Sequence, residues 1–164
     1  MRTVIGVMGG GVASESVLGD ALRVGRLIAE NGWVLLNGGR DAGVMAASAR
    51  GAAEAGGLVV GVLPSDDWEC IASHIDVPIL TGMGDARNAI NVLASEVVIA
   101  LPGGAGTVSE VALALKSGRP VVLLGFPLGK PFERYYLAGR LVDADTPAEA
   151  IAIATSFLAD KDLA

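Results

Sequence analysis

Six short apolar runs recur along the chain, each the length of one β-strand and rich in β-branched residues. The runs are TVIGVM, WVLLN, LVVGVL, VPIL, EVVIAL and PVVLLG. Because they are apolar on both faces, they predict strands of a sheet that is covered on both sides. Helical length and Ala, Leu, Glu and Arg content mark the segments 16–31, 43–56, 84–95, 107–118 and 147–160. This alternation predicts a Rossmann-like α/β fold with a doubly wound, mainly parallel sheet and helices on both faces.

The length and the apolar content predict one globular domain. A chain of 164 residues, 52% hydrophobic and 18% charged, can bury a sizeable core over residues 1–164. Its apolar runs are too short to cross a bilayer, so no membrane association is expected. The N-terminal stretch turns glycine-rich after a few apolar residues, unlike a secretory signal, which predicts a cytoplasmic location. Residues 64–78 and 126–140 are the least regular connections.

Charge and cysteine usage narrow the choice of ligands. The net charge is −6 without any Lys/Arg cluster, which disfavours nucleic acid as a partner. Cys70 is the single cysteine, so neither an internal disulfide nor a cysteine-based metal site can form within the chain. No catalytic metal is expected.

Glycine clusters follow four of the predicted strands. The clusters are Gly9-Gly10-Gly11, Gly38-Gly39-Arg40, Gly82-Met83-Gly84 and the run at 103–106. The carboxyl ends of parallel strands share one edge of the sheet, where ligands settle, and backbone N–H groups at helix N-termini bind phosphate. The clusters therefore predict a shared anion-binding crevice.

Two familiar glycine motifs do not fit. No Gly-Lys-Ser or Gly-Lys-Thr of a phosphate-binding P-loop occurs. The dinucleotide pattern that would start at Gly9 meets Ser14 at its third glycine position, and no acid for a ribose follows the second strand. Neither a P-loop kinase nor an NAD enzyme is favoured.

The side chains around the last glycine cluster suggest how an anion is held. Thr107 can cap the predicted helix or give its hydroxyl to a phosphate oxygen, and Arg87 can supply a permanently charged fork. Glu110 has the spacing of a capping box with Thr107, so a structural role and a ligand-facing role stay equally open. Arg40 is predicted to contact the ligand, and Asp85 to orient Arg87 or act as a base.

Two further residues carry less chemical information. His74, the single histidine, is interpreted as structural. Trp68 is predicted to cover a pocket or an interface.

Three motifs resemble a known superfamily. NGGRDAGVM (37–45) and PGGAGTVSE (102–110) resemble the Lonely-guy, or "lysine decarboxylase-like", family of phosphoribohydrolases. TGMGDARN (81–88) followed by GAGTVSEVALALK looks closer to the molybdenum cofactor carrier proteins. The resemblance implies carriage of a phosphate-bearing heterocycle, with the molybdenum cofactor as cargo. Hydrolysis of nucleoside 5′-monophosphates is the alternative, and a nucleotide-sensing domain is a third.

The resemblance also assigns residues. Arg87 matches the arginine beside the glycosidic bond of the hydrolases, and Glu110 matches their motif glutamate, so both are catalytic if the chain is a hydrolase. Asn88 stands where those enzymes hold a lysine, which favours the carrier. The full predicted binding set is Gly9, Gly10, Gly11, Gly38, Gly39, Arg40, Gly43, Val44, Met45, Gly84, Arg87, Asn88, Gly103, Gly104, Ala105, Gly106, Thr107 and Glu110.

Two helical segments predict association with other chains. VALALK and NAINVLASE carry apolar residues all round, as subunit-facing or buried helices do. A homo-oligomer, dimer or tetramer, is therefore expected. The carrier resemblance further implies molybdoenzymes or cofactor-synthesis proteins as partners.

Overall fold

The computed structural model describes residues 2–161, in which seven strands form one parallel sheet. The predicted domain ends at residues 1 and 162–164 lie outside the described residues. The strand order is β4-β3-β2-β1-β5-β6-β7, and every neighbouring pair is parallel. The strands are β1 Val4–Met8, β2 Val34–Asn37, β3 Val59–Leu63, β4 Val77–Leu80, β5 Val97–Ala100, β6 Val121–Leu124 and β7 Leu141–Ala144.

Helices cover both faces of the sheet. The helices are α1 Glu15–Glu30, α2 Gly43–Glu54, α3 Asn88–Leu93, α4 Ala105–Lys116, α5 Glu133–Leu137 and α6 Pro147–Lys161. One apolar core packs α1, α2 and α6 on the first face, and the other packs α3, α4 and α5 on the second. The predicted Rossmann-like class is confirmed. Among residues 2–161, no helix is both long enough and apolar enough to cross a membrane.

The sequence predictions miss some elements and shift others. All six predicted strands are present, but β7 was not predicted. The segment 126–140, interpreted as a connection, contains a 3₁₀ turn and α5. The predicted helix 84–95 is a 3₁₀ turn over Gly84–Arg87 followed by the short α3. These differences leave the topology unchanged.

The sheet reverses its winding between β1 and β5. The chain runs outward from β1 to β4 and then returns to β5, which pairs with the free side of β1. The connections after β1 and β5 therefore leave the sheet toward opposite faces, and a crevice opens between them. The two connections are tied together where Gly10 N donates to the Pro102 carbonyl at 3.1 Å.

Close packing of α1 against α2 holds the loop between β2 and α2 beside this crevice. A Cβ atom on Gly51 would overlap the carbonyl oxygen of Leu22, and one on Gly25 would overlap that of Ser48. The backbones of the two helices are therefore in direct contact. At its start α2 is fixed to the β1 loop, because Val44 N donates to the Gly10 carbonyl at 3.0 Å.

Candidate functional site

A polar crevice of about 180 Å³ lies at the point where the sheet reverses its winding. The loops after β1, β2 and β5 and the 3₁₀ turn before α3 form its walls. It is lined by Val7, Met8, Gly9, Gly10, Gly11, Gly38, Arg40, Met45, Asp85, Arg87, Asn88, Gly104, Gly106, Thr107 and Glu110. Twelve of these residues belong to the predicted binding set, so the structure brings most of that set together.

The other six predicted residues lie outside the lining. They are Gly39, Gly43, Val44, Gly84, Gly103 and Ala105. Val44 is fully buried beneath Gly9. Gly43 has a positive φ of 50° and packs against the Gly10 carbonyl, while a Cβ on Gly103 would overlap the Thr107 hydroxyl. These three residues do not line the crevice but pack against the loops that form its walls.

The bare N-terminus of α4 forms one wall of the crevice. Gly104 is its N-cap, and no side chain caps the helix. Within residues 2–161, the backbone N–H groups of Ala105, Gly106 and Thr107 donate to no acceptor. Gly104 and Gly106 have open space where a Cβ would stand. Unpaired N–H groups and the positive end of the helix dipole make this wall suited to an anion.

The structure corrects the capping interpretation of Thr107 and Glu110. Because α4 begins at Ala105, Thr107 is its third residue rather than its cap. A capping box places the hydroxyl residue at the N-cap and the glutamate three residues later, so this pair cannot form one. Instead, the Glu110 carboxylate accepts a hydrogen bond of 2.8 Å from Asn91 Nδ2. It also pairs with Arg87 Nη1 at 3.4 Å.

Arg87 stands opposite the α4 N-terminus, between Gly38 and Glu110. Its two terminal nitrogens lie 2.8 and 2.9 Å from the position a Cβ on Gly38 would take, so a larger residue there would displace the guanidinium. Burial lowers the pKa of Arg87; Glu110 opposes this effect and the positive charge of Arg40 adds to it. Its Nε is buried without an acceptor among the described residues. Two cations thus face one crevice, an arrangement that a bound anion stabilises.

Glu110 is held in place from the side of α3. Burial raises the pKa of its carboxyl above the usual range, while the hydrogen bond from Asn91 and the charge of Arg87 act in the opposite direction. Asn91 is fully buried, and its backbone carbonyl accepts from Ser95 Oγ at 2.7 Å. Asn91 was not among the residues predicted from the sequence. Its signal was a polar residue inside the apolar stretch NAINVL, on the helix that packs against α4.

The raised pKa of Glu110 predicts how stability depends on pH. A glutamate whose pKa is higher in the folded state stabilises the fold most below its ordinary pKa, near 4.5, and loses that contribution as the pH rises through the folded value. Glutamine at this position does not titrate. We therefore expect the melting temperature of the wild type to fall relative to that of Glu110→Gln as the pH rises above about 4.5, and then to stay level. If the melting temperature of the wild type instead rises relative to that of Glu110→Gln with increasing pH, the charge of Arg87 outweighs burial in setting the pKa of Glu110.

Asparagine side chains organise two edges of the crevice. Asn88 Nδ2 donates to Ser109 Oγ at 3.1 Å and so ties the 3₁₀ turn to α4. The buried Asn37 donates to the Met45 carbonyl at 2.9 Å and accepts from Gly39 N at 2.8 Å. The loop after β2 is therefore fixed before any ligand arrives.

The remaining candidates from the sequence lie in different places. Asp85 lines the crevice beside Arg87. Trp68 is 70% exposed and lies outside the lining, and His74 lines a separate hollow along α1 and α2. Among residues 2–161, no group of three or more His, Cys, Asp or Glu side chains is arranged to hold a metal ion.

The chain is thus a Rossmann-like α/β protein with a polar crevice where the sheet reverses its winding, lined by a bare helix N-terminus and a part-buried Arg87–Glu110 pair. The chain belongs to the SLOG cluster4 family, whose model matches residues 2–151. The superfamily resemblance inferred from the motifs is thereby confirmed.

Solved structures of similar proteins cover nearly the whole chain. The molybdenum cofactor carrier protein of Chlamydomonas reinhardtii is 44% identical, with a TM-score of 0.89 over 97% of this chain and 99% of that one. The molybdenum cofactor binding protein of the phototrophic bacterium Rippkaea orientalis is 43% identical, with a TM-score of 0.87 over 96% and 98%. A cytokinin riboside 5′-monophosphate phosphoribohydrolase of Mycobacterium tuberculosis is 36% identical over 63% of this chain and 60% of the enzyme.

Proposed function

We propose that this protein binds and carries a phosphate-bearing heterocycle, the molybdenum cofactor, in the crevice between β1 and β5. The observation that carries the proposal is the uncapped N-terminus of α4 facing Arg87 across a small polar cavity. The similarity to the Chlamydomonas and Rippkaea proteins, over almost the full length of each, supports this choice of ligand.

The residues present fit such a ligand. The phosphate would accept from the N–H groups of residues 105–107 and from the guanidinium groups of Arg40 and Arg87. Asp85 and Glu110 add two carboxylates to the same lining. Carboxylates repel phosphate but accept hydrogen bonds from O–H and N–H groups on the part of the ligand next to the phosphate. The crevice is therefore suited to a phosphate joined to a larger polar group more than to a bare phosphate.

Hydrolysis of nucleoside 5′-monophosphates is the second candidate function. It is favoured by the pairing of Arg87 with Glu110 at 3.4 Å inside the crevice, together with the 36% identity to the mycobacterial enzyme. In this case Arg87 and Glu110 are the catalytic residues, and the carboxylate would stabilise a cationic sugar centre. Position 88 carries no charge, and its amide is already bonded to Ser109.

We expect no release of base, or very slow release, from AMP or cytokinin riboside monophosphates. The reason is the neutral Asn88 where the hydrolases hold a lysine. Chromatography of the incubated nucleotides measures the free base, and Glu110→Gln serves as the matched variant. Rapid release by the wild type that Glu110→Gln abolishes, with ligand affinity retained, would make the protein a hydrolase.

We further propose that the whole chain acts as one binding domain in the cytoplasm, as a homo-oligomer that passes its ligand to molybdoenzymes or cofactor-synthesis proteins. Exposed apolar side chains support self-association. Val77 and Ile79 on the edge strand β4 are 44% and 42% exposed, and Leu93 at the end of α3 is 54% exposed. Light scattering during gel filtration tests this, because a monomer at all concentrations would contradict it.

A further inference from the structure

A second hollow borders the crevice at Gly11 and Arg40. We call it the Val12 hollow; it measures about 440 Å³ and is lined by Gly11, Val12, Arg40, Asp41, Ala42 and Cys70. Gly11 and Arg40 line the crevice as well. Gly11 carries no side chain, and Arg40 Nη2 would lie 3.5 Å from a Cβ placed on it. The two spaces are therefore neighbours that share a wall.

The crevice is too small to hold a whole cofactor. Sites for small molecules and cofactors enclose roughly 300–1,000 Å³, whereas the crevice offers about 180 Å³. A phosphate fits there, but a phosphate together with a fused ring system does not. With the phosphate at the start of α4, the Val12 hollow next to Gly11 and Arg40 offers space for the rest of the ligand.

The floor of the Val12 hollow is rigidly built. Asp41 N donates to the Cys70 carbonyl at 2.8 Å, and Ala72 N donates to the Gly39 carbonyl at 2.9 Å. These bonds fasten the β3–β4 connection to the loop after β2. Because the backbone is already fixed, a ligand that enters the hollow pays little to order it.

The lining of the hollow offers groups that suit a flat heterocycle. The Val12 side chain is 95% exposed and gives an apolar surface, and the planar guanidinium of Arg40 can stack on a ring. The Asp41 carboxylate makes no side-chain hydrogen bond among the described residues and can accept from ring N–H or amino groups. The N–H groups of Gly11 and Val12 also donate to no acceptor within residues 2–161 and can meet ring oxygens or nitrogens.

We propose that the Val12 hollow holds the heterocyclic end of the ligand whose phosphate occupies the crevice. The inference rests on the proposed function and specifies its ligand class as a monophosphate of an amino-substituted nitrogen heterocycle. Arg40 stands at the junction and contacts both parts. Pterins and purines share this chemistry, and binding measurements distinguish them.

Calorimetric titration with inorganic phosphate, AMP and a pterin monophosphate tests the inference on two variants. Ala42→Leu fills the hollow, and Asp41→Ala removes its acceptor from an exposed position that is compatible with folding. We expect Ala42→Leu to weaken the heterocyclic monophosphates about tenfold or more, because the leucine side chain occupies space that the ring needs. Asp41→Ala should weaken them by roughly two- to tenfold through one lost hydrogen bond. Inorganic phosphate should bind both variants as it binds the wild type.

Glu30→Ala is the matched control, because it removes an exposed carboxylate at the far end of α1. The hollow prefers the ring whose monophosphate shows the larger increase in affinity over inorganic phosphate in the wild type. If phosphate binds and both variants keep the wild-type ratio of heterocyclic-monophosphate affinity to phosphate affinity, the hollow is not a subsite. The inference then fails, while the proposed function stands. If the wild type binds no phosphate probe, the proposed function fails and the inference fails with it.

Discussion

Replacing Arg87 with alanine is expected to weaken a phosphate ligand by about 1.5–3 kcal/mol, the usual contribution of a charge-assisted hydrogen bond. The guanidinium faces the α4 N-terminus across the crevice, and burial has already removed it from most of its water. Its interaction with an anion is therefore less screened than that of a surface cation. Titration calorimetry with AMP measures the change.

Two further variants serve as controls for Arg87→Ala. Arg26→Ala removes an arginine that pairs with Glu54 on the surface at 3.2 Å, and it should leave the affinity unchanged. Arg87→Lys keeps the charge but loses the planar fork, so its affinity should lie between those of the wild type and Arg87→Ala. Unchanged affinity in Arg87→Ala, with the fold intact, would remove Arg87 from the site.

The glycine contact between α1 and α2 carries the second large effect. A methyl group on Gly51 has no room beside the Leu22 carbonyl, so Gly51→Ala should lower the free energy of unfolding by about 1–3 kcal/mol. The same substitution at Gly19, in the second turn of α1 with open space around it, should raise the free energy of unfolding by roughly 0.5–1 kcal/mol through helix propensity.

Urea unfolding of the two glycine variants measures these opposite changes. Because α2 holds the loop after β2 beside the crevice, Gly51→Ala should also weaken ligand binding, whereas Gly19→Ala should not. Equal behaviour of the two variants would mean that the helix backbones are not in contact as described.

The strands and winding of the sheet were predictable because its central strands are apolar on both faces. The sequence missed β7, an edge strand whose four residues include Asp143 and which therefore lacks a continuous apolar run. The hydrogen bond from Tyr136 to Asp143 at 3.0 Å, which links α5 to this strand, joins residues that no local pattern connects. Edge elements with mixed polarity depend on such tertiary contacts.

The part of the candidate site that is built from glycine backbone was predictable from the sequence. Glycines at strand ends located the crevice, but the sequence could not tell a glycine that faces the cavity, such as Gly104, from one that packs behind it, such as Gly103. Asn91 was missed because its role arises from the packing of α3 on α4. The start of α4, two residues earlier than predicted, decided against the capping interpretation of Glu110.

Native mass spectrometry of the freshly purified protein, expressed in cells that synthesise the molybdenum cofactor, tests the central claim most directly. We expect a species heavier than the polypeptide by the mass of a phosphate-bearing heterocycle. This species should disappear in Arg87→Ala but persist in Arg26→Ala. The polypeptide mass alone in all three proteins, after cofactor-producing expression and gentle purification, would contradict it.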